Sequence, residues 1–361
     1  MNQNLFEVDK LLDGASGIGT SIAQETRELS EFVKDKSNDL IDRVSAYEDI
    51  ISLEIGDTSL SRARNIEREA NMRQIYLKFE GGNPTGTQKD RIAFAQCLDA
   101  LRRGYETVTL ATCGNYGAAM ALAAELAGLK CIICIPESYH TKRINEMSKM
   151  GSEIERVSGS YEDSVDYSIK MAWDKEYYDA NPGGVNTSIQ LKAYAEIAME
   201  IYDILRDAPK IVAAPVSNGT LLAGVFRGFV SLYKRGKTSR LPKMIAASST
   251  NKNPIIVSFK KGLKSCRDLN PTGIKETKIN EPLINWHSFD GDEALWALYD
   301  SDGASRWVSD KKLMDYSKIL KDREGLNVLP ASTAGLIGLL EMHKEKPFEG
   351  DRYVTILTGR K

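Results

Sequence analysis

Histidine is scarce in this chain: His140, His287 and His343 are the three in 361 residues, and they stand far apart. That leaves little material for a Ser–His relay or a histidine-based metal centre. Cysteine is sparse and odd in number, with Cys97, Cys113, Cys131, Cys134 and Cys266. Such a count in a long chain fits free thiols in a reducing cytoplasm better than a disulfide framework. Cys131 and Cys134 have the spacing of half a zinc or redox motif, but they lie in the apolar run Leu129–Ile135. No second pair completes a ligand set, so no metal is expected. Charge of one sign is lacking too: 48 basic against 50 acidic residues leave a formal charge of −2. Neither nucleic acid nor an anionic membrane is favoured as a partner. No apolar run has the length of a membrane span. Met1–Glu7 lacks the basic head and apolar stretch of a secretory signal.

What is present is an ordinary globular composition, 42% hydrophobic and 27% charged, in a chain too long for one core, so two domains are expected. Residues 1–55 carry many charges, and Thr26–Tyr47 has apolar residues at helical spacing, which predicts an N-terminal helical arm. From Tyr76 the pattern becomes strand, glycine-containing loop, helix, and it repeats. Thr107–Ala111, Cys131–Ile135, Lys210–Val216, Lys243–Ser248 and Tyr353–Leu357 read as short buried strands. The stretches between them read largely as helices, while 262–285 is polar, proline-broken and weakly patterned. This alternation argues for an α/β fold with parallel strands and right-handed crossovers.

In such sheets ligands bind beyond the carboxyl ends of strands. Four loops at those places carry small or polar residues, around Lys89, Asn115, Asn218 and Thr358. The first, Glu80–Arg91, holds three glycines, a proline, two threonines and Lys89 between a strand-like and a helix-like run. A lysine there, with helix amides behind it, suits chemistry on an anionic ligand. Ser217-Asn218-Gly219-Thr220-Leu221 has the physics of a phosphate cup: small residues let the backbone approach, and the following helix adds its positive end. It lacks the Lys-Ser/Thr pair of a nucleotide P-loop, which excludes that reading.

Asn83–Arg91 resembles the lysine motif of the fold-type II pyridoxal-phosphate enzymes, most closely that of threonine synthases within the tryptophan synthase beta superfamily. Thr87 and Gln88 stand where Ser and Phe are usual, and Ser59 stands for the proline of Gly-x-Thr-Pro-Leu. Thr112-Cys113-Gly114-Asn115-Tyr116 is similar to the family's Thr-Ser-Gly-Asn-Ala loop, Ser217–Leu221 to its phosphate loop, and Leu357-Thr358-Gly359 to its C-terminal hydroxyl motif. The stretch Glu324–Ser332 matches a further motif beside the active site, with Glu324 either functional or a helix-terminal carboxylate.

The resemblance implies two open twisted sheets flanked by helices. The larger domain, 56–100 with 190–361, would bind the cofactor, and 101–189 would form a smaller mobile domain. It implies pyridoxal 5'-phosphate as cofactor. Lys89 would be the Schiff-base lysine and catalytic base, Asn115 would bind the phenolic oxygen, Ser217–Leu221 the phosphate, and Thr358 would face the ring nitrogen. Thr112, Cys113, Gly114, Asn115 and Tyr116 would bind the substrate, with Tyr116 narrowing the pocket. A hydroxyl at the ring nitrogen favours elimination and replacement over transamination. The activity implied is a lyase of amino-acid biosynthesis that converts O-phosphohomoserine to threonine. It needs a second anion pocket, for which Arg91, Lys192 and Thr187 are candidates. One alternative is β-elimination or β-replacement on serine, threonine or a phosphoserine-like substrate. Another is a cofactor-holding regulatory subunit without turnover, against which an intact Lys89 argues. The partners expected are a small amino-acid substrate and a second copy of the chain in a homodimer, with neither nucleic acid nor membrane.

Overall fold

A computed structural model describes residues 23–112, 114–139, 143–350 and 352–361. The expected α/β architecture of two sheets flanked by helices is present. Ten strands are described: β1 (Leu60–Arg62), β2 (Ile75–Phe79), β3 (Thr107–Ala111), β4 (Lys130–Pro136), β5 (Glu153–Val157), β6 (Tyr178–Asp179), β7 (Ile211–Pro215), β8 (Lys243–Ser249), β9 (Ala304–Val308) and β10 (Tyr353–Leu357). They form a four-stranded sheet in the order β5-β4-β3-β6 and a six-stranded sheet in the order β1-β2-β10-β7-β8-β9. All neighbours are parallel except β1–β2, which pair antiparallel across the intervening helix Arg64–Ala70.

The chain divides into two compact units, one of residues 1–56 and 83–190, the other of 57–82 and 191–361. Residues 83–100 therefore belong with the four-stranded sheet, not with the six-stranded one where the sequence reading put them. The reason is packing. The helix Lys89–Arg102 lies against the helices Leu40–Glu54 and Asn115–Ala127, where Phe94 stacks on Tyr47 with ring centroids 6.1 Å apart.

In the first unit β3 and most of β4 are buried, as continuous apolar runs covered on both faces should be. The alanine-rich helix Asn115–Ala127 is buried along most of its length. Gly128, at φ +66°, ends it, and the N–H of Leu129 turns back to Ala124 O at 2.9 Å. Among the described residues the stretch expected as one helix, Thr26–Tyr47, falls in two, Gln24–Lys34 and Leu40–Glu54. Asp35 and Asp39 explain the break. The Asp35 carboxylate accepts from Ser37 N and Oγ, and that of Asp39 from Ile41 N, so side chains compete for the backbone within five residues. The arm docks through Tyr47, whose hydroxyl donates to Ala123 O at 2.8 Å, and Ser30, which donates to Leu126 O at 3.1 Å.

In the second unit β7 and β10 are wholly buried, and their side chains join Ile75 and Leu77 of β2 in one core. The fully buried Lys78 is paired with Glu200 and donates to Thr58 O, so this lysine is a structural pin. Residues 262–285 form no strand, only two short 3-10 turns. Glu324 caps the helix Arg64–Ala70 by accepting from Asn65 N and Ile66 N, both at 3.1 Å, which gives it the helix-terminal role.

Candidate active site

The four loops leave strand ends of two sheets. Ser217 follows β7 and Thr358 follows β10, adjacent strands of the six-stranded sheet; Asn115 follows β3 of the four-stranded sheet. The loop carrying Lys89 leaves β2, and the chain enters the first unit at Asn83.

In the first unit Lys89 is half-buried and opens the helix Lys89–Arg102. Its loop is clasped by the buried Asp90, whose carboxylate accepts from Thr85 N at 3.0 Å and Thr85 Oγ1 at 2.7 Å. Burial pushes the Asp90 carboxyl up to about 6, although the Thr85 hydrogen bonds and the charge of Arg143 pull the other way. The folded state therefore holds this proton more tightly than the unfolded chain. The stabilisation is complete below about pH 4 and is lost as pH rises through about 6. Relative to Asp90→Asn, wild-type cofactor-free protein should lose up to ~3 kcal/mol between pH 4 and 7, read from urea midpoints. Parallel curves for the two proteins would refute it.

The Nζ of Lys89 lies 5.3 Å from the ring centroid of Tyr116, within cation–π range. Tyr116 is buried, and its far end is pinned: its hydroxyl donates to Ala180 O at 2.7 Å and accepts from Gln96 Nε2. Gln190 supports Gln96 in turn, donating to its Oε1 at 3.3 Å. The ring is thus held in place beside Lys89. Thr112 Oγ1 accepts from Gly114 N at 3.2 Å, which shapes the turn into the helix Asn115–Ala127. Cys113 lies outside the described residues. Asn115 is held by a residue that motif reading did not single out: Arg143 Nη1 donates to its Oδ1 at 2.5 Å. The signal available was position alone, since Arg143 follows the end of β4, the next strand end of the same sheet.

In the second unit the loop 217–221 is backed by a polar shelf. Asn253 Nδ2 donates to Ser217 O at 3.0 Å, Ser288 Oγ to the same oxygen at 3.2 Å, and Asn285 Nδ2 to Asn218 Oδ1 at 2.9 Å. The Thr220 hydroxyl donates to Asp290, so its proton is committed to a carboxylate. Gly219 adopts φ +99°, and a Cβ there would meet Asp290 O at 2.7 Å. Beyond it runs the helix Thr220–Lys234. Among the described residues the N–H groups of Asn218, Gly219, Thr220 and Leu221 donate to no acceptor. Consecutive unused amides at a helix N-terminus, with the backbone fixed from behind, fit a phosphate group. Next to it, Thr358 Oγ1 lies 3.0 Å from Ser332 Oγ, which also donates to Gly359 O at 3.2 Å. The hydroxyl pair can offer a neighbouring ring nitrogen either a hydrogen or a lone pair.

Cys131 and Cys134 are both buried in β4, three residues apart on a strand, and burial pushes their thiols up to about 12 and about 11. Of the residues considered for a second anion pocket, Arg91 is buried, Thr187 is half-buried and Lys192 is exposed.

Residues 51–359 match the family described as pyridoxal-phosphate dependent enzyme. The chain belongs to that family. Its cofactor is pyridoxal 5'-phosphate, and the amides of 217–221 supply donors suited to the cofactor's phosphate. Among its curated relatives in the family, a threonine synthase of Methanocaldococcus jannaschii is 32% identical over 313 residues, covering 86% of this chain and 76% of the relative. A threonine synthase of Synechocystis is 28% identical over 323 residues, covering 88% and 79%. Solved structures share the fold: a maize serine racemase at TM-score 0.73 and 18% identity covers 88% of this chain and 92% of its own. The processed form of threonine deaminase isoform 2 from Solanum lycopersicum has TM-score 0.70 and 17% identity, covering 89% and 90%. Among the described residues no helix is long and apolar enough to cross a membrane.

Proposed function

We propose that this enzyme is a threonine synthase-like lyase that removes phosphate from O-phosphohomoserine and adds water to give threonine. The observation that carries the reading is the 32% identity to a threonine synthase, spread over 86% of the chain. Bound pyridoxal phosphate supplies an electron sink for the charge left at the substrate's α-carbon. The chain's residues do the rest. Lys89 would hold the cofactor covalently until the substrate's own amine displaces it, and the freed Lys89 amine would then take the α-proton and return a proton later. Asn115 would donate from Nδ2 to the phenolic oxygen, and the loop that leads into Asn115 would hold the substrate carboxylate. The amides of Ser217–Leu221 hold the cofactor phosphate. The Thr358 hydroxyl meets the ring nitrogen without demanding that it be charged, which favours elimination over transamination. The test is phosphate release with threonine formation from O-phosphohomoserine. Its absence, with turnover of other amino acids, sinks the reading.

A second reading, β-elimination or β-replacement on serine-type substrates, is favoured by the Tyr116 wall beside Lys89. A compact pocket would suit a shorter side chain. Under either reading Tyr116→Ala should shift preference toward the longer substrate by on the order of tenfold in kcat/KM, while Tyr116→Phe, which keeps the ring, should not. Unchanged ratios across a panel of homoserine and serine esters would show that the ring does not select.

A further inference from the structure

We propose that Arg143 is a positioning residue that fixes which end of the Asn115 amide faces the cofactor and ties that amide to the lysine loop. The inference rests on the reading of Asn115 given above. One guanidinium makes three bonds: Nη1 to Asn115 Oδ1 at 2.5 Å, Nη2 to Thr85 O at 3.0 Å, and Nε to Glu146 Oε2 at 2.9 Å. The arginine and Glu146 side chains are 18% and 16% exposed, so neither is a loose surface group.

The chemistry of an amide makes the consequence directional. An arginine donates only, so the atom of Asn115 that faces it must be the carbonyl oxygen. Flipping the amide would set an NH2 group against the guanidinium, losing a charge-assisted bond and opposing two donors. Asn115 Nδ2, which donates to no acceptor among the described residues, is therefore turned away from Arg143 and left for another acceptor. A phenolic oxygen is an acceptor of that kind. The second bond matters as much. Thr85 is the residue through which Asp90 clasps the lysine loop, so Arg143 bonds directly to both stretches that carry Lys89 and Asn115. A guanidinium fork can reach both at once; an ammonium in its place would give up one.

Four proteins test this: Arg143→Met, Arg143→Lys, Asn115→Ala and the Asn115→Ala/Arg143→Met double variant. Cofactor affinity is measured by absorbance titration, along with the position of the bound cofactor's visible band. R143M should weaken binding about tenfold or more and move the band, as loss of an outer-shell partner does. R143K should recover part of the loss. In the Asn115→Ala background R143M should add less than about twofold, because its target is gone. Wild-type affinity and spectrum in R143M would overturn the proposal. So would an undiminished R143M effect without Asn115, which would place the role in loop stability alone. If the wild-type chain took up no pyridoxal phosphate, the functional reading itself would fail. The contact is then judged by NMR of cofactor-free protein, where the Asn115 side-chain amide resonances should shift in R143M. An unshifted pair overturns it.

Discussion

Lys89→Ala should leave a folded protein with no visible cofactor band and with turnover lower by on the order of 10³-fold or more. The loss combines two roles in one amine. A positioned general base alone contributes on the order of 10²–10⁴-fold, and the covalent hold on the cofactor goes with it. Lys78, one strand earlier, is not set to substitute, since it is fully buried and bound to Glu200 and Thr58. Lys89→Arg is the companion variant. It keeps a cation over the Tyr116 ring but offers a guanidinium that stays protonated and does not attack a carbonyl. Both variants should share the thermal stability of the cofactor-free wild type while lacking the band. A coloured, active Lys89→Ala protein would remove Lys89 from the mechanism altogether.

Gly219→Ala is expected to act by a different route, through stability and cofactor affinity. The residue sits at φ +99°, where a side chain is strained, and its Cβ would fall 2.7 Å from Asp290 O and 2.8 Å from Ala294 Cβ. Backbone strain of ~1–2 kcal/mol adds to overpacking of ~1–3 kcal/mol. The oxygen it would strike belongs to Asp290, whose N–H bonds Asn218 O and whose carboxylate holds Thr220. Relief must therefore move the loop proposed to hold the cofactor's phosphate. Gly262→Ala is the control: it has φ +68° and open space around the added methyl, so it pays the backbone cost alone. Gly219→Ala should lose more melting temperature than Gly262→Ala and, unlike it, bind pyridoxal phosphate at least about tenfold more weakly. Equal melting losses with unchanged cofactor affinity would mean the loop is not the phosphate site.

The sequence was most legible where function and local structure coincide. Buried parallel strands show as apolar runs, and the turns after β7 and β10 show as small and hydroxyl residues, because backbone approach to a ligand restricts residue type there. Glu324 was recognisable but ambiguous, and only its contacts with Asn65 and Ile66 decide that it is a cap. What was not legible is the support behind the loops. Arg143, Asn253, Asn285 and Asp290 are ordinary polar residues in sequence. Each acquires its role from a partner 28 to 70 positions away. No periodicity records such pairings. The split of the arm at Asp35–Asp39 was visible in composition, but apolar spacing on both sides masked it. The allotment of residues 83–100 depended on which helices Phe94 packs against, a tertiary matter.

The strand order carries a consequence for how the molecule is made. β10 lies in the sheet interior, between β2 and β7, with Ile75 registered against Tyr353 and Ile211 against the same residue on the other side. During synthesis β2 emerges early and must wait, edge exposed, until nearly the whole described chain has left the ribosome. Its antiparallel partner β1 shields only one side. The pairing that finishes the sheet is among the most distant in the sequence, so it is slow, and the intermediate presents two open edges facing an empty slot. A chain interrupted before Tyr353 would lack Thr358 and keep that slot, making it a template for pairing with other chains. Completion of the sheet and delivery of Thr358 are one event, so an unfinished copy has neither.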